Sequence, residues 1–202
     1  MREITLYWEG PFSFQELIVN YKSLSKNMCG VYFHTEEISG KTYICYAGKA
    51  MGSPDILKRQ RQHYLHIIGG MFNIPLDFRE SKQEWVPTDV HFYGEKNNEF
   101  FETIFSRDKF LKLVHEAYEY AQKINIYYAT KDFSKENIAL IERKLLFEFK
   151  PLNTYWGTKT DPDSEVTLIH DGIIKDTIKK WIDDTNDYKG FRSGSLRRGS
   201  AN

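Results

Sequence analysis

Apolar and polar residues alternate from Ile4 to Trp8, the pattern of a short strand with one buried face, and Gly10-Pro11 is expected to break it. Ser13 then stands where a helix cap belongs, ahead of Phe14, Leu17, Ile18 and Tyr21 at helical spacing. From Cys29 to Lys49 the chain reads as a β-hairpin. Val31-Tyr32-Phe33-His34 and Thr42-Tyr43-Ile44-Cys45-Tyr46 favour strands, and Glu36 to Lys41, with Ser39-Gly40, supplies the turn. Asp55 is placed to cap a basic helix that runs to about Ile68 and ends at Gly69-Gly70. Leu57 and Tyr64, at i and i+7, are expected to anchor that helix.

Val90 to Tyr93 reads as a strand, and Phe100 to Ala121 holds helical patterns, clearest at Phe110, Val114, Ala117, Tyr118 and Ala121. Ile124 to Thr130 reads as another strand. Ser134 opens a strong helix to Lys150, which Pro151 stops. Val166 to Ile169 is expected as a last short strand, followed by an apolar helical stripe of Ile174, Ile178, Trp181 and Ile182. From Asn186 onward the tail offers almost nothing to bury and is expected to be disordered.

The length of 202 residues implies one domain with decoration, or at most two small ones, and 41% hydrophobic with 15% aromatic residues supports a packed core. Twenty-eight basic and 28 acidic residues give a net charge of +0. That counts mildly against a nucleic-acid binder, although the sum says nothing about how charge is distributed. Cys29 and Cys45, with no zinc-like spacing, read as packed thiols. No apolar run suits a secretion signal or the roughly 20 residues that span a bilayer, so a soluble cytoplasmic protein without membrane contact is expected.

Chemistry enters with the hairpin. With the turn centred on Ser39, Tyr32 and Tyr46 become cross-strand neighbours on one face. Two such phenols can hydrogen-bond a phosphate oxygen and a water together. A phenol is a poor base at its free pKa of about 10, and a cation such as Lys49 or a metal would favour phenolate. The alternative is aromatic packing alone. Arg59 and His63, at i and i+4, share a helix face, offering a guanidinium fork for phosphate and an imidazole for protons, or simply a solvated basic face. Arg61 lies on another face. Glu142 stands in the series Ile138, Glu142, Leu145, Phe149, where the stripe expects an apolar residue. A divalent metal or a salt bridge to Arg59 or Lys49 would explain it. Asn153, just past Pro151, is locally an ordinary turn residue.

Together these pieces resemble the GIY-YIG nuclease superfamily. Gly30-Val31-Tyr32 is similar to its first motif and Tyr46-Ala47-Gly48, continued by Lys49-Ala50, to its second. The segment Leu57 to Tyr64 resembles the arginine-plus-histidine helix, Ile141-Glu142-Arg143 the glutamate segment, and Pro151-Leu152-Asn153 the asparagine motif. The resemblance implies an α+β fold with a small three-stranded antiparallel sheet flanked by helices. It places a nuclease domain over residues 27–156, with an insertion around 69–123, an N-terminal extension 1–26, a C-terminal strand and helix over 157–185, and a tail 186–202.

It also implies hydrolysis of DNA with Mg²⁺ or Mn²⁺. Tyr32 would be the base or would position the attacking water, Tyr46 and Arg59 would hold the phosphate, His63 would assist proton transfer, and Glu142 would bind the metal. Lys49, Arg61 and Asn153 would complete the phosphate-binding set. Restriction is the favoured role, with repair, recombination and homing open, and a palindromic target would call for a homodimer or two sequential cuts. Asn97-Asn98, Gln60 and Gln62 are amides able to read adenine edges, or merely solvated side chains. The alternatives are a catalytically silent nucleic-acid-binding or assembly domain of the same fold, and a purely structural intracellular domain in which Glu142 is salt-bridged, which the neutral overall charge fits best.

Overall fold

A computed structural model of the chain describes residues 2–19, 29–38, 40–52, 55–68, 105–130, 135–152 and 161–188. Its strands are β1 (Arg2–Phe12), β2 (Gly30–Ile38), β3 (Lys41–Ala50), β4 (Asn125–Thr130) and β5 (Val166–Gly172). Its helices are α1 (Phe14–Val19), α2 (Ile56–Ile68), α3 (Arg107–Lys123), α4 (Lys135–Phe149) and α5 (Ile178–Asp187). The chain divides into two compact units, one of Met1–Gln60 with Ile124–Asn202 and one of Arg61–Lys123. The first holds every strand, with α1, α4, α5 and the opening of α2.

The sheet corrects the expectation of three antiparallel strands. It has five, in the order β3-β2-β4-β1-β5. β1 pairs antiparallel with β4 and parallel with β5, which makes the sheet mixed. The physical reason lies in the two segments assigned to extensions. Ile4, Leu6 and Trp8 of β1, with Val166 and Leu168 of β5, are buried in the same core as Val31, Phe33 and Ala47 of the hairpin. Such surfaces find their partners by adding to the sheet. Gly10-Pro11 does not end β1 either; the strand passes through it, with an irregular register between Glu9 and Phe12.

Local chemistry explains most element ends. Ser13 and Glu16 form a reciprocal cap on α1, since Glu16 N–H donates to Ser13 Oγ at 3.1 Å and Ser13 N–H to Glu16 Oε2 at 2.7 Å. Asp55 Oδ1 accepts from Lys58 N–H at 2.9 Å, capping α2 as its position suggests. The hairpin turn joins Ile38 to Lys41, with Gly40 at φ 76°.

The core lies between one face of the sheet and helices α4 and α5. Ile138, Ile141, Leu145 and Phe149 of α4 are buried there, so Ile141, not Glu142, completes the stripe. Phe33 is its aromatic centre, edge-on to Trp8 at 4.7 Å and to Phe149 at 5.3 Å, and stacked on Tyr127 at 5.0 Å. Phe33→Ala is expected to cost about 3–5 kcal/mol in chemical denaturation, as the ring is fully buried on every side. A cost under about 1 kcal/mol would show that this packing does not hold the sheet to its helices.

Two polar devices tie the layers together. Trp8 Nε1–H donates to His170 Nδ1 at 3.0 Å, and His170 Nε2 then meets Glu148 Oε2 at 3.1 Å, joining β1, β5 and α4. At the edge strand β3, Ile44 N–H donates to Thr185 Oγ1 at 2.8 Å and Ile44 C=O accepts from Leu152 N–H at 3.0 Å. Edge groups at Ile44 are thus satisfied by the chain's own end.

The second unit contributes α3 and the later turns of α2. In α3 Ala117, Tyr120 and Ala121 are buried while Phe110 and Tyr118 are exposed, so the apolar face is rotated from the expected one. The expected strand at Val90 to Tyr93 lies outside the described residues, as does the chain beyond Tyr188; Asn186 and Asp187, expected to open a disordered tail, instead belong to α5. Among those residues no helix is long and apolar enough to cross a membrane.

Candidate active site

The hairpin brings Tyr32 and Tyr46 onto one face, but not directly opposite each other. Tyr32 opposes Gly48 and Tyr46 opposes His34. The turn pairs Ile38 with Lys41, and Cys45 is an extra residue between the pairs His34–Tyr46 and Thr35–Ile44, so the register moves from the expected one. The tyrosines become diagonal neighbours, their rings stacked 6.1 Å apart at 24°.

This register explains two motif glycines. A Cβ on Gly48 would lie 2.9 Å from Tyr32 Oη and 3.0 Å from Tyr46 Cε1, so the phenol of Tyr32 lies over a position that only glycine leaves open. A Cβ on Gly30 would run into the carbonyl oxygen of Ala129 on β4.

Arg59 reaches this pair from the first turns of α2. Its Nε–H donates to Tyr32 Oη at 3.4 Å, and hydrogen bonding with Tyr46 adds to the cluster. Tyr32 is fully buried. Burial pushes its phenol well above the ordinary tyrosine range, the neighbouring Tyr46 adds to this, and Arg59 only partly opposes it. Burial alone would lower the Arg59 pKa, but both tyrosines raise it further, so the guanidinium stays charged. At neutral pH Tyr32 is therefore a neutral phenol beside a cation. Arg59 does not make Tyr32 a phenolate, because desolvation outweighs its attraction.

Glu142 finds its cation in Lys49, whose Nζ lies 2.6 Å from Glu142 Oε2, both side chains about a quarter exposed. Strand alternation sorts the site into two halves. Ala47 faces the core beside α4, and Lys49 leaves β3 on that same side, whereas Tyr46 leaves it on the side of Tyr32 and Arg59. The described contacts thus join Tyr32, Tyr46 and Arg59 in one group and Lys49 with Glu142 in another. Edge strand β3 is shared by both.

His63 lies a turn beyond Arg59 on α2, is 2% exposed, and falls in the second unit, as does the exposed Arg61. Asn153 and the pair Asn97-Asn98 are outside the described residues. Gln60 is fully buried and bonded to His34, so it is no reader of base edges. Among the described residues no three His, Cys, Asp or Glu side chains gather as a metal-binding group.

Three neighbours of the tyrosines escaped the sequence reading. His34 follows Tyr32 by two residues on β2, so strand period alone assigns it to the same face. Tyr128 opposes Tyr32 across β4, and Glu9 opposes Tyr128 across β1. Tyr128 O–H donates to Glu9 Oε2 at 3.3 Å and stacks on Phe12 at 5.3 Å. Burial, then the charge of Glu9, pushes Tyr128 up to about 12. Comparison with family models, curated proteins and solved structures finds no match for this chain.

Proposed function

We propose that the chain is a phosphodiester hydrolase acting on DNA, with Tyr32, Tyr46 and Arg59 handling the scissile phosphate, as the resemblance to the GIY-YIG nucleases implies. The observation that carries this reading is the Arg59–Tyr32 contact at 3.4 Å beside Tyr46. A guanidinium given one direction by a buried phenol and a partly exposed one is a preorganised fork for two phosphate oxygens. In hydrolysis it would stabilise the charge that builds on phosphorus as water attacks. The phenols would orient that water.

The implied metal has one hard-oxygen donor to hold it, Glu142. A single carboxylate with phosphate oxygens and water is an ordinary Mg²⁺ arrangement, so the residue fits if Lys49 yields the oxygen it contacts. When bound, the ion would supply positive charge to the phosphate. Because the two halves leave opposite faces of β3, the proposal lays the phosphodiester along that edge strand, within reach of both.

The Lys49–Glu142 pair, closed on itself at 2.6 Å, also favours a second reading, a silent nucleic-acid-binding or assembly domain in which the pair is structural. Incubation with supercoiled plasmid and Mg²⁺ or Mn²⁺ separates the two. Nicking abolished by EDTA supports the hydrolase, retardation of DNA on a gel without nicking supports the silent domain, and neither result leaves both without support.

The pair makes its own prediction. Lys49→Met removes the cation that competes for Glu142, and exposed pairs are worth up to ~1 kcal/mol, so Mn²⁺ affinity by calorimetry is expected to tighten by about fivefold. Glu142→Gln should abolish that binding. Affinity unchanged in both variants would remove Glu142 as the metal ligand.

A further inference from the structure

We propose that His34 is a positioning residue for the Arg59 cluster, acting through Gln60. The proposal deepens the hydrolase reading and takes its functional meaning from it. His34 is 1% exposed and sits behind both phenols, its ring 5.7 Å from that of Tyr32 and 5.5 Å from that of Tyr46. Phe14 of α1 closes it from another side, edge-on at 5.5 Å. Such a ring fixes the spacing of the tyrosines by bulk alone.

The polar half of the argument is the 2.7 Å contact between His34 Nε2 and Gln60 Oε1. The amide oxygen only accepts, so Nε2 carries the proton and donates. Gln60 directly follows Arg59 and is fully buried. Its Nε2 has no partner among the described residues, so within them His34 is the tie that holds this amide. A side chain on β2 thereby pins the residue beside Arg59, and with it the direction in which the guanidinium leaves α2. Leucine or phenylalanine would serve if only a filled core were needed here; an imidazole donor matched to a buried amide acceptor adds a directional link, and direction is what Arg59 requires to meet Tyr32.

The test replaces the polar link by apolar volume. The His34→Phe, Gln60→Leu double variant removes the donor and the acceptor of this link together and should melt within a few degrees of the parent chain. Two readouts are taken on the full chain: plasmid nicking with Mg²⁺, and the arginine Nε–H resonance of Arg59 in a ¹⁵N correlation spectrum, assigned with Arg59→Lys. The expected result is a shift of the Arg59 resonance toward that of a free guanidinium, with kcat down about 10–100-fold and KM little changed, the scale on which a misplaced group about 1 Å from its station acts. If the double variant does not fold, Gln60→Asn, one methylene too short to meet Nε2, takes its place. An Arg59 resonance unmoved by both variants, or already free in the parent chain, overturns the proposal. A shifted resonance in a chain that never nicks DNA leaves His34 as the positioning residue and rejects the hydrolase reading instead.

Discussion

Arg59→Ala is expected to lower kcat/KM for plasmid nicking by about 10³-fold while the chain stays folded. Two terms set the size. Removing one preorganised donor from a developing oxyanion costs about 10²–10³-fold in rate, and Arg59 also fixes the phenols beside it. Stability should fall by only ~1 kcal/mol, the net worth of a typical hydrogen bond, because the side chain is half-buried and Tyr32 remains packed by its neighbours. Arg59→Lys should recover little, since an ammonium lacks the planar fork that spans two oxygens. Ultraviolet titration supplies an independent check. Arg59 is the cation that opposes the upward shift of Tyr32, so in Arg59→Ala the slowest phenol should ionise at still higher pH. Full nicking activity in Arg59→Ala would remove the cluster from the chemistry.

How far the sequence reveals this arrangement depends on whether a feature is local. The caps at Ser13 and Asp55 involve partners three residues away, and both were legible from residue type and spacing. So was the hairpin, whose strands carry their own pattern. The five-stranded sheet was not, because nothing local says that Ile4 to Trp8 pairs with β5 across more than 150 residues of chain. Long-range pairing is decided by which buried surfaces remain uncovered, a property of the whole fold. The register of the tyrosines differs for a smaller reason: the turn pairs Ile38 with Lys41 and Cys45 is an extra residue, each shifting the pairing by one, so Tyr46 moves from opposite Tyr32 to opposite His34. In the site, Tyr32, Tyr46 and Arg59 could be named from motif and spacing. Gln60 could not, since an amide on a basic helix reads as solvated until a buried histidine is found to face it. Glu142 was legible as a charge needing a cation, and the sequence offered Lys49 among its candidates.

Acid is expected to unfold the chain through His34, the second large effect. Burial lowers its pKa from 6.5 to about 4, with the Gln60 hydrogen bond opposing the shift only in part. As pH falls, the unfolded chain takes up this proton first, near 6.5, while the folded chain resists until about 4. The contribution is therefore complete above pH 6.5 and is lost as pH drops through the window down to about 4. The span is 6.5 − 4, about 2.5 units, which at 1.36 kcal/mol each is about 3 kcal/mol. Urea unfolding at pH 7, 5.5 and 4 should show this fall in the parent chain, and the His34→Phe, Gln60→Leu variant should lack it over the same range. Asp161 supplies a control within one protein. Its hydrogen bond from Lys144 holds it below 3.8, so its stabilisation is lost at lower pH than the histidine window and persists in both chains. Equal slopes between pH 6.5 and 4 in the two proteins would mean that His34 is solvated, and with it would go the buried link that orients Arg59.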